Sequence, residues 1–171
     1  AASMIGLFML INFMFLRIGY ADKDETPSIA ILPFENKGAD EDIFYAYGIS
    51  ADLISDCSGA GLIRVTGLKD IEKVNFQEMT YNQLSESFLV RYIAQGTLWK
   101  MGEMFQLSIE LYDTKENKVI WSDRWQENWA SLSNIKKNLS EGLLAALDTR
   151  PVKEIKPNSN NPEAYEFYLK A

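Results

Sequence analysis

The stretch "SIAILPFENKG", residues 28–38, opens as a buried strand and then breaks. Four of its first five residues are apolar, as suits a strand covered on both faces. Pro33 then withholds a backbone donor, and Phe34 is followed by the polar Glu35 and Asn36. Such a break serves either a binding loop at the carboxyl end of a strand or a fixed corner of the fold with no chemistry in it. The rest of the sequence has to separate the two.

Downstream, Phe44, Tyr47, Ala51 and Ile54 recur at helical spacing. Gly48 is placed to start or bend that helix. Ser50 is placed to cap it, with Ile49 and Ile54 as a hydrophobic staple. "GLIRVTG", 61–67, predicts a second short strand between glycines. "MTYNQLSESFL", 79–89, predicts a helix opened by the capping-box pair Thr80 and Gln83, with Met79 stapled to Leu84.

The last third changes character. "YIAQGTLWK" (92–100), "MFQLSIELYD" (104–113) and "KVIWSDRWQ" (118–126) predict three strands turned at Gly102 and at "TKEN". Phe105, Leu107, Ile109 and Leu111 alternate with Gln106, Ser108, Glu110 and Tyr112, so one face of the meander is buried and the other wet. Val119, Trp121 and Trp125 are expected to share a face. Leu132, Ile135, Leu139, Leu143 and Leu147 stripe a final helix. The predicted class is α/β, a mixed sheet in β-α-β-α-β-β-β-α order, preceded by a hydrophobic membrane-type helix.

That leading segment is "AASMIGLFMLINFMFL", with Met4, Ile5, Leu7, Phe8, Leu10, Phe13, Phe15 and Leu16 as the apolar residues of the membrane segment. Residues 1–20 are expected to be a transmembrane segment or signal anchor held by Arg17 and Tyr20, the competing reading being a signal peptide with Gly19 and Ala21 as the small residues before a cleavage site. Residues 21–27 form a linker, 28–148 the folded domain, and 149–161 a second linker holding two prolines. From 162 to 171 a new helix begins, with Asn161 capping it, Pro162 at its first position and Glu163 in its first turn.

Composition removes much chemistry. The 171 residues carry a net charge of −7, which repels phosphate backbones and argues against nucleic acid as a partner. There is no histidine, which excludes Ser-His-Asp and Cys-His catalysis and every metal site needing imidazole. The single Cys57 reads as a small apolar helix residue. Asp40, Glu41 and Asp42 lack the alternation of a calcium loop and suit a helix N-terminus instead. In "GAGLIRVTGLKD", 59–70, Lys69 is misplaced for a phosphate loop. Trp99, Trp121 and Trp125 read as core rather than a ligand cage. No catalytic, cofactor or metal set is expected.

Several segments together resemble the TolB N-terminal-like domain. They are "SIAILPFEN" at 28–36, "FYAYGI" at 44–49, "LIRV" at 62–65, Gly96-Thr97, then Leu111, Asp113 and Trp121, and the leucine-rich helix 132–147. Pro33, Phe34, Asn36, Gly48, Gly96 and Trp121 carry the motif. Tyr47 stands where that family has Asp and Asn117 where it has Gly, and the last helix lacks a Leu-Gln lead-in. The resemblance implies a non-enzymatic, extracytoplasmic sensing or interaction module without cofactor, in a bacterial membrane protein. In similar proteins an intracellular cyclase, kinase or winged-helix domain precedes the membrane helix, and tetratricopeptide repeats follow the domain. It implies a protein partner or the chain's own repeats, with a small ligand left open. Its contact surfaces would be a sheet edge, the polar face of Gln106, Ser108 and Glu110, and the repeats. An exported envelope assembly factor is the alternative. On this resemblance Pro33-Phe34 is a corner of the fold, with Phe34 beneath the helix near Gly48.

Overall fold

A computed structural model describes residues 26–149 together with Ala164, Phe167, Tyr168 and Lys170, these last four helical and exposed. The apolar run 1–20 and both linker-and-helix boundaries after 149 lie outside the described residues. Among those described, no helix is long and apolar enough to cross a membrane.

Strand β1 spans Ser28–Ile31 and lies between β3 (Arg64–Val65) and β4 (Tyr92–Met101), parallel to both. Being central, it is buried from Ile29 through Leu32, which is why its sequence is a continuous apolar run. Pairing reaches Leu32, whose N–H donates to the Ala94 carbonyl at 2.9 Å. Pro33 leaves the ladder. The chain rejoins β4 farther along as β2 (Glu35–Asn36), parallel to Thr97 and Leu98. The strand that opens the 28–38 stretch is therefore two short strands with a step between them, since Pro33 cannot donate to the ladder. The 61–67 strand shrinks to Arg64–Val65.

Helix α1, Ile43–Gly59, starts five residues before Gly48, directly after an acidic 3-10 turn at Asp40–Asp42. Gly48 is buried in its second turn, and Ser50 is not a cap. The Ser50 hydroxyl faces the Ala46 and Tyr47 carbonyls and accepts the Phe34 N–H at 3.2 Å. The turn Asp40–Asp42 supplies the negative charge at the helix start that the dipole favours, so no Ser cap is needed.

A four-residue α2, Leu68–Ile71, and α3, Tyr81–Phe88, connect β3 to β4. Thr80 and Gln83 form the expected capping box. Leu89 ends α3 in the left-handed region (φ 53), where the Arg64 guanidinium bonds its carbonyl. The step from β1 to β3 runs one way across the sheet and that from β3 to β4 runs back past β1. Two right-handed crossovers of opposite direction put their helices on opposite faces. Accordingly α1 shares one face with the last helix, α4 (Leu132–Ala146), while Tyr81 of α3 stacks on Tyr112 on the other, centroids 4.3 Å apart.

Strands β5 (Met104–Asp113) and β6 (Lys118–Asn128) complete the order β3-β1-β4-β5-β6. The alternation in β5 is as expected: Phe105, Leu107, Ile109 and Leu111 are buried. In β6 a bulge intervenes. Leu111 opposes Trp121 but Tyr112 opposes Val119, so Ile120 is an extra residue and Val119 moves to the Tyr112 face, away from Trp121 and Trp125. Trp99 likewise opposes Gln106 on the open face and is half exposed, which corrects its assignment to the core. Asn117, in the β5–β6 turn, adopts φ 52, a left-handed position that Asn tolerates in place of glycine.

The α4 stripe Leu132, Ile135, Leu139, Leu143 and Leu147 is buried throughout. A Cβ on Gly142 would come within 2.7 Å of the Trp121 ring, so the missing side chain lets β6 and α4 approach. Between α1 and α4 runs a polar seam. Lys136 Nζ bonds Asp52, and the Ser140 hydroxyl donates to Asp56 at 3.0 Å. Burial pushes the Asp56 carboxyl up, and Asp52 adds to this, while Ser140 and Lys136 pull the other way. Cys57 is fully buried beside it, where burial and then the Asp56 charge raise the thiol to about 12, leaving it inert.

Arg91 grips the nearly buried Asp113 through Nε and Nη2, the shorter contact 2.7 Å, and Asp113 also accepts the Lys115 and Glu116 N–H groups. Burial alone would raise this carboxyl, but Arg91 and the two amides outweigh it and hold it below its ordinary value. A depressed folded value gives stability that is complete above the unfolded value of about 3.9 and fades as pH falls through the folded one. Asp113→Asn should therefore lower the melting temperature at neutral pH and flatten its fall below about pH 4, as followed by thermal melts across pH. The strand register gives a second expectation. Ile109→Asp buries an unpaired carboxylate, costs several kcal/mol and should unfold the domain, whereas the exposed Glu110→Lys should shift stability by no more than about 0.5 kcal/mol. Circular dichroism melts of the two variants check this.

A groove on the open sheet face as candidate functional site

On the second face of the sheet α3 lies against β4, and its Tyr81 reaches Tyr112 of β5. Where cover stops, a groove of about 1200 Å³ opens. Its floor is two cross-strand rows read directly from the register: Gln95, Glu110 and Ser122, then Glu35, Thr97, Ser108 and Arg124. One wall is the stepped corner Pro33–Asn36 with Asp40, Ile43 and Tyr47; the other is Phe76, Gln77, Met79 and Tyr81.

The corner is built from the opening motif. Phe34 is almost fully buried over Gly96, where a Cβ would stand 2.8 Å from its ring and equally close to the Ser108 carbonyl. Its N–H turns off the ladder to Ser50 of α1, so the ring lies beneath that helix as expected. Asn36 folds the following loop: its Oδ1 accepts the Gly38 N–H at 3.0 Å and its Nδ2 donates to the Ala39 carbonyl at 2.6 Å. The motif residues thus divide. Pro33, Phe34, Asn36 and Gly96 meet at the groove, whereas Gly48 is buried in α1 and Trp121 packs on α4.

On the floor, the Thr97 and Ser108 hydroxyls share a hydrogen bond of 2.6 Å. Tyr81 rests on Tyr112, and burial, then the Glu110 charge, raises its phenol above the ordinary range while Gln95 pulls it down. Tyr47 donates to Glu72 at 2.7 Å; that bond, followed by burial and the Glu72 charge, raises the Tyr47 phenol. Ile43 and Tyr47 remain 63% and 42% exposed, an unusual outlay of apolar surface at the start of a helix. The arrangement offers hydrogen-bonding rows, carboxylates and an apolar lip. Among the described residues no group of three Cys, Asp or Glu side chains is placed to hold a metal ion. Asp42 is turned instead toward Lys100, 3.6 Å away, whose ammonium also lies over the Tyr45 and Trp129 rings.

The alternation in the sequence puts Ser108, Glu110 and Gln106 on a wet face but does not disclose the walls. Ile43, Tyr47, Phe76, Met79 and Tyr81 look like core residues in a one-dimensional pattern, because periodicity marks apolar positions and not whether a layer covers them.

The family model for the second domain of HilA/YgeH-like transcriptional regulators matches residues 24–141, well over half of the chain. The chain belongs to this HilA/YgeH-like family. This is a different family from the one the motif resembles, while the TolB likeness is shown at the level of the fold. TolB from Acinetobacter baumannii is 17% identical, with a TM-score of 0.55 over 72% of this chain and 29% of its own. Lipoprotein GNA1162 from Neisseria meningitidis, also 17% identical, has a TM-score of 0.51 over 71% of this chain and 98% of its own. In sequence, the HilA/YgeH-like domain is 22% identical over 151 residues to the Rhizobium meliloti (strain 1021) protein named "Putative adenylate cyclase 3". That alignment takes in 85% of this chain but only 26% of the relative, so the chain spans about a quarter of the length of the curated relative it matches.

The Phe34–Gly96 contact gives a direct test of how the corner is held. Gly96→Ala forces a methyl into the ring and the Ser108 carbonyl, an overpacking cost of about 1–3 kcal/mol. A chemical denaturation series should show that loss with an unchanged denaturant slope.

Proposed function

We propose that this domain is a non-enzymatic protein-interaction module that relays a condition of its surroundings to an output domain in the same chain. One observation carries this reading. A module matched by a transcriptional-regulator family also aligns with a protein named for adenylate cyclase, over a quarter of that protein's length. DNA binding and cyclisation of a nucleotide share no chemistry, so a module common to both does neither. The description "second domain" implies that another domain accompanies it in such regulators. With a net charge of −7, contact with DNA falls to that other domain.

In this reading residues 1–20 are the membrane anchor, the domain stands outside the cytoplasm, and the helix from 162 opens a repeat array. The apolar run and the lipoprotein among the fold neighbours support that placement. Relay then works by differential binding: a partner that prefers one of two states of the domain shifts the equilibrium felt by the output. One observation favours the exported assembly factor as a second reading, namely that this fold accounts for 98% of the lipoprotein chain and so stands alone there. The residues preceding Ala1 in the full open reading frame separate the two. A cytoplasmic output domain there supports the relay, and a signal sequence alone supports the exported factor.

Deleting residues 28–148 from the full-length protein should leave the basal output measurable and abolish its response to the inducing condition, read by a transcriptional reporter or a cyclic-nucleotide assay. Unchanged regulation after deletion overturns the relay. So does turnover of a nucleotide or ester by the purified chain that a single substitution abolishes.

A further inference from the structure

We infer that the groove on the open sheet face receives a basic segment of a partner protein, with Lys or Arg side chains alternating with bulky apolar ones. This rests on the interaction-module reading and names the chemistry of the partner.

Three observations converge. The charge facing the groove is unbalanced: Glu35, Asp40 and Glu110 present carboxylates, and Arg124 the one guanidinium among the lining residues. Asp123 also borders the groove, but the register puts it opposite Ile109, on the other face. Glu35 is engaged by Lys37, which concentrates the unbalanced charge at Asp40 and Glu110. Second, the lip is apolar. Ile43 and Tyr47 stand exposed one helical turn apart, on the same side of α1. Tyr47 is held in place by its bond to Glu72, so an aromatic anchor is already ordered before a partner arrives. Third, the floor is an open sheet face whose polar rows supply donors and acceptors at intervals along any chain laid across them: Gln95 and Ser122 beside Glu110, Thr97 and Ser108 beside Arg124. A cationic segment with apolar neighbours meets all three demands. An acidic one fails the first, and a wholly polar one leaves the lip bare.

The position of Glu110 makes the inference testable without harm to the fold. It lies on the wet side of β5, beside the phenol of Tyr81, and outside the core.

The probe is a fluorescein-labelled peptide of sequence LKFKLKYK, with LEFELEYE as its acidic counterpart, titrated by anisotropy into the full chain held in neutral detergent. The basic peptide should bind and the acidic one should not, and added salt should weaken binding. The Asp40→Asn/Glu110→Gln double variant should bind at least about tenfold more weakly. Glu86→Lys, an equal charge change on an exposed α3 residue outside the groove, should shift binding by less than about twofold. Tyr47→Ala should also weaken binding by about tenfold, which attraction to net charge alone would not produce. Melting curves verify that each variant is folded. Equal loss in Glu86→Lys and the double variant, equal binding of both peptides, or no binding of either, overturns the proposal. Failure here with regulation still lost on domain deletion would sink the groove and spare the relay. Binding here with regulation intact would sink the relay and spare the groove.

Discussion

The contact on which the rest of the architecture turns is Phe34 over Gly96. Pro33 takes the chain out of the ladder, and something has to bring it back; the ring does so by filling the space where β4 has no side chain. Burying a phenylalanine contributes roughly 1.5–3 kcal/mol, against the missing hydrogen bond at Pro33 of about 1 kcal/mol. The remaining cost is offset because the Phe34 N–H finds the Ser50 hydroxyl instead of going unpaired. Once Phe34 is seated, β2 is committed to its parallel register at Thr97, α1 is fixed above it, and Asn36 folds the loop that leads into the acidic turn. The groove wall is a by-product of this packing, which is how a corner of the fold with no chemistry of its own also borders a candidate binding surface.

The opposite face is tied together differently. Asp52 and Asp56 on α1 meet Lys136 and Ser140 on α4 within an otherwise apolar contact. A buried pair of this kind adds little net stability, because desolvation of both ions consumes most of the attraction. It does discriminate between alignments: sliding one helix past the other would leave a buried ion unpaired, at several kcal/mol. The leucine stripe supplies the adhesion and the seam supplies the register.

Much of this was legible in the sequence. The three-stranded meander, the capping box at Thr80, the leucine stripe of α4 and the burial of Cys57 all follow from patterns in which each residue's local preference agrees with its final place. The failures have physical causes. Ser50 looks like a cap because serine precedes an apolar run, yet its partner is Phe34, sixteen positions away, which no local pattern discloses. Val119 was misplaced because the bulge at Ile120 reverses parity without any glycine to announce it. Trp99 lies on the uncovered face, and coverage is a tertiary property. The groove was half visible, in its polar floor, and hidden in its walls for the same reason.

The bulge at Ile120 has one more effect. β6 is the outer strand of the sheet, and its free backbone groups would accept a strand from a second molecule. An extra residue near one end bends that edge, and Lys118, Asp123, Arg124 and Glu127 stud it with charge. If two copies pair antiparallel and in phase about the middle of the strand, Asp123 meets Asp123, which like charges resist. Such an edge is a poor template for a strand from another molecule, so the bulge and the charges together guard the one side of the sheet that ends in a long strand.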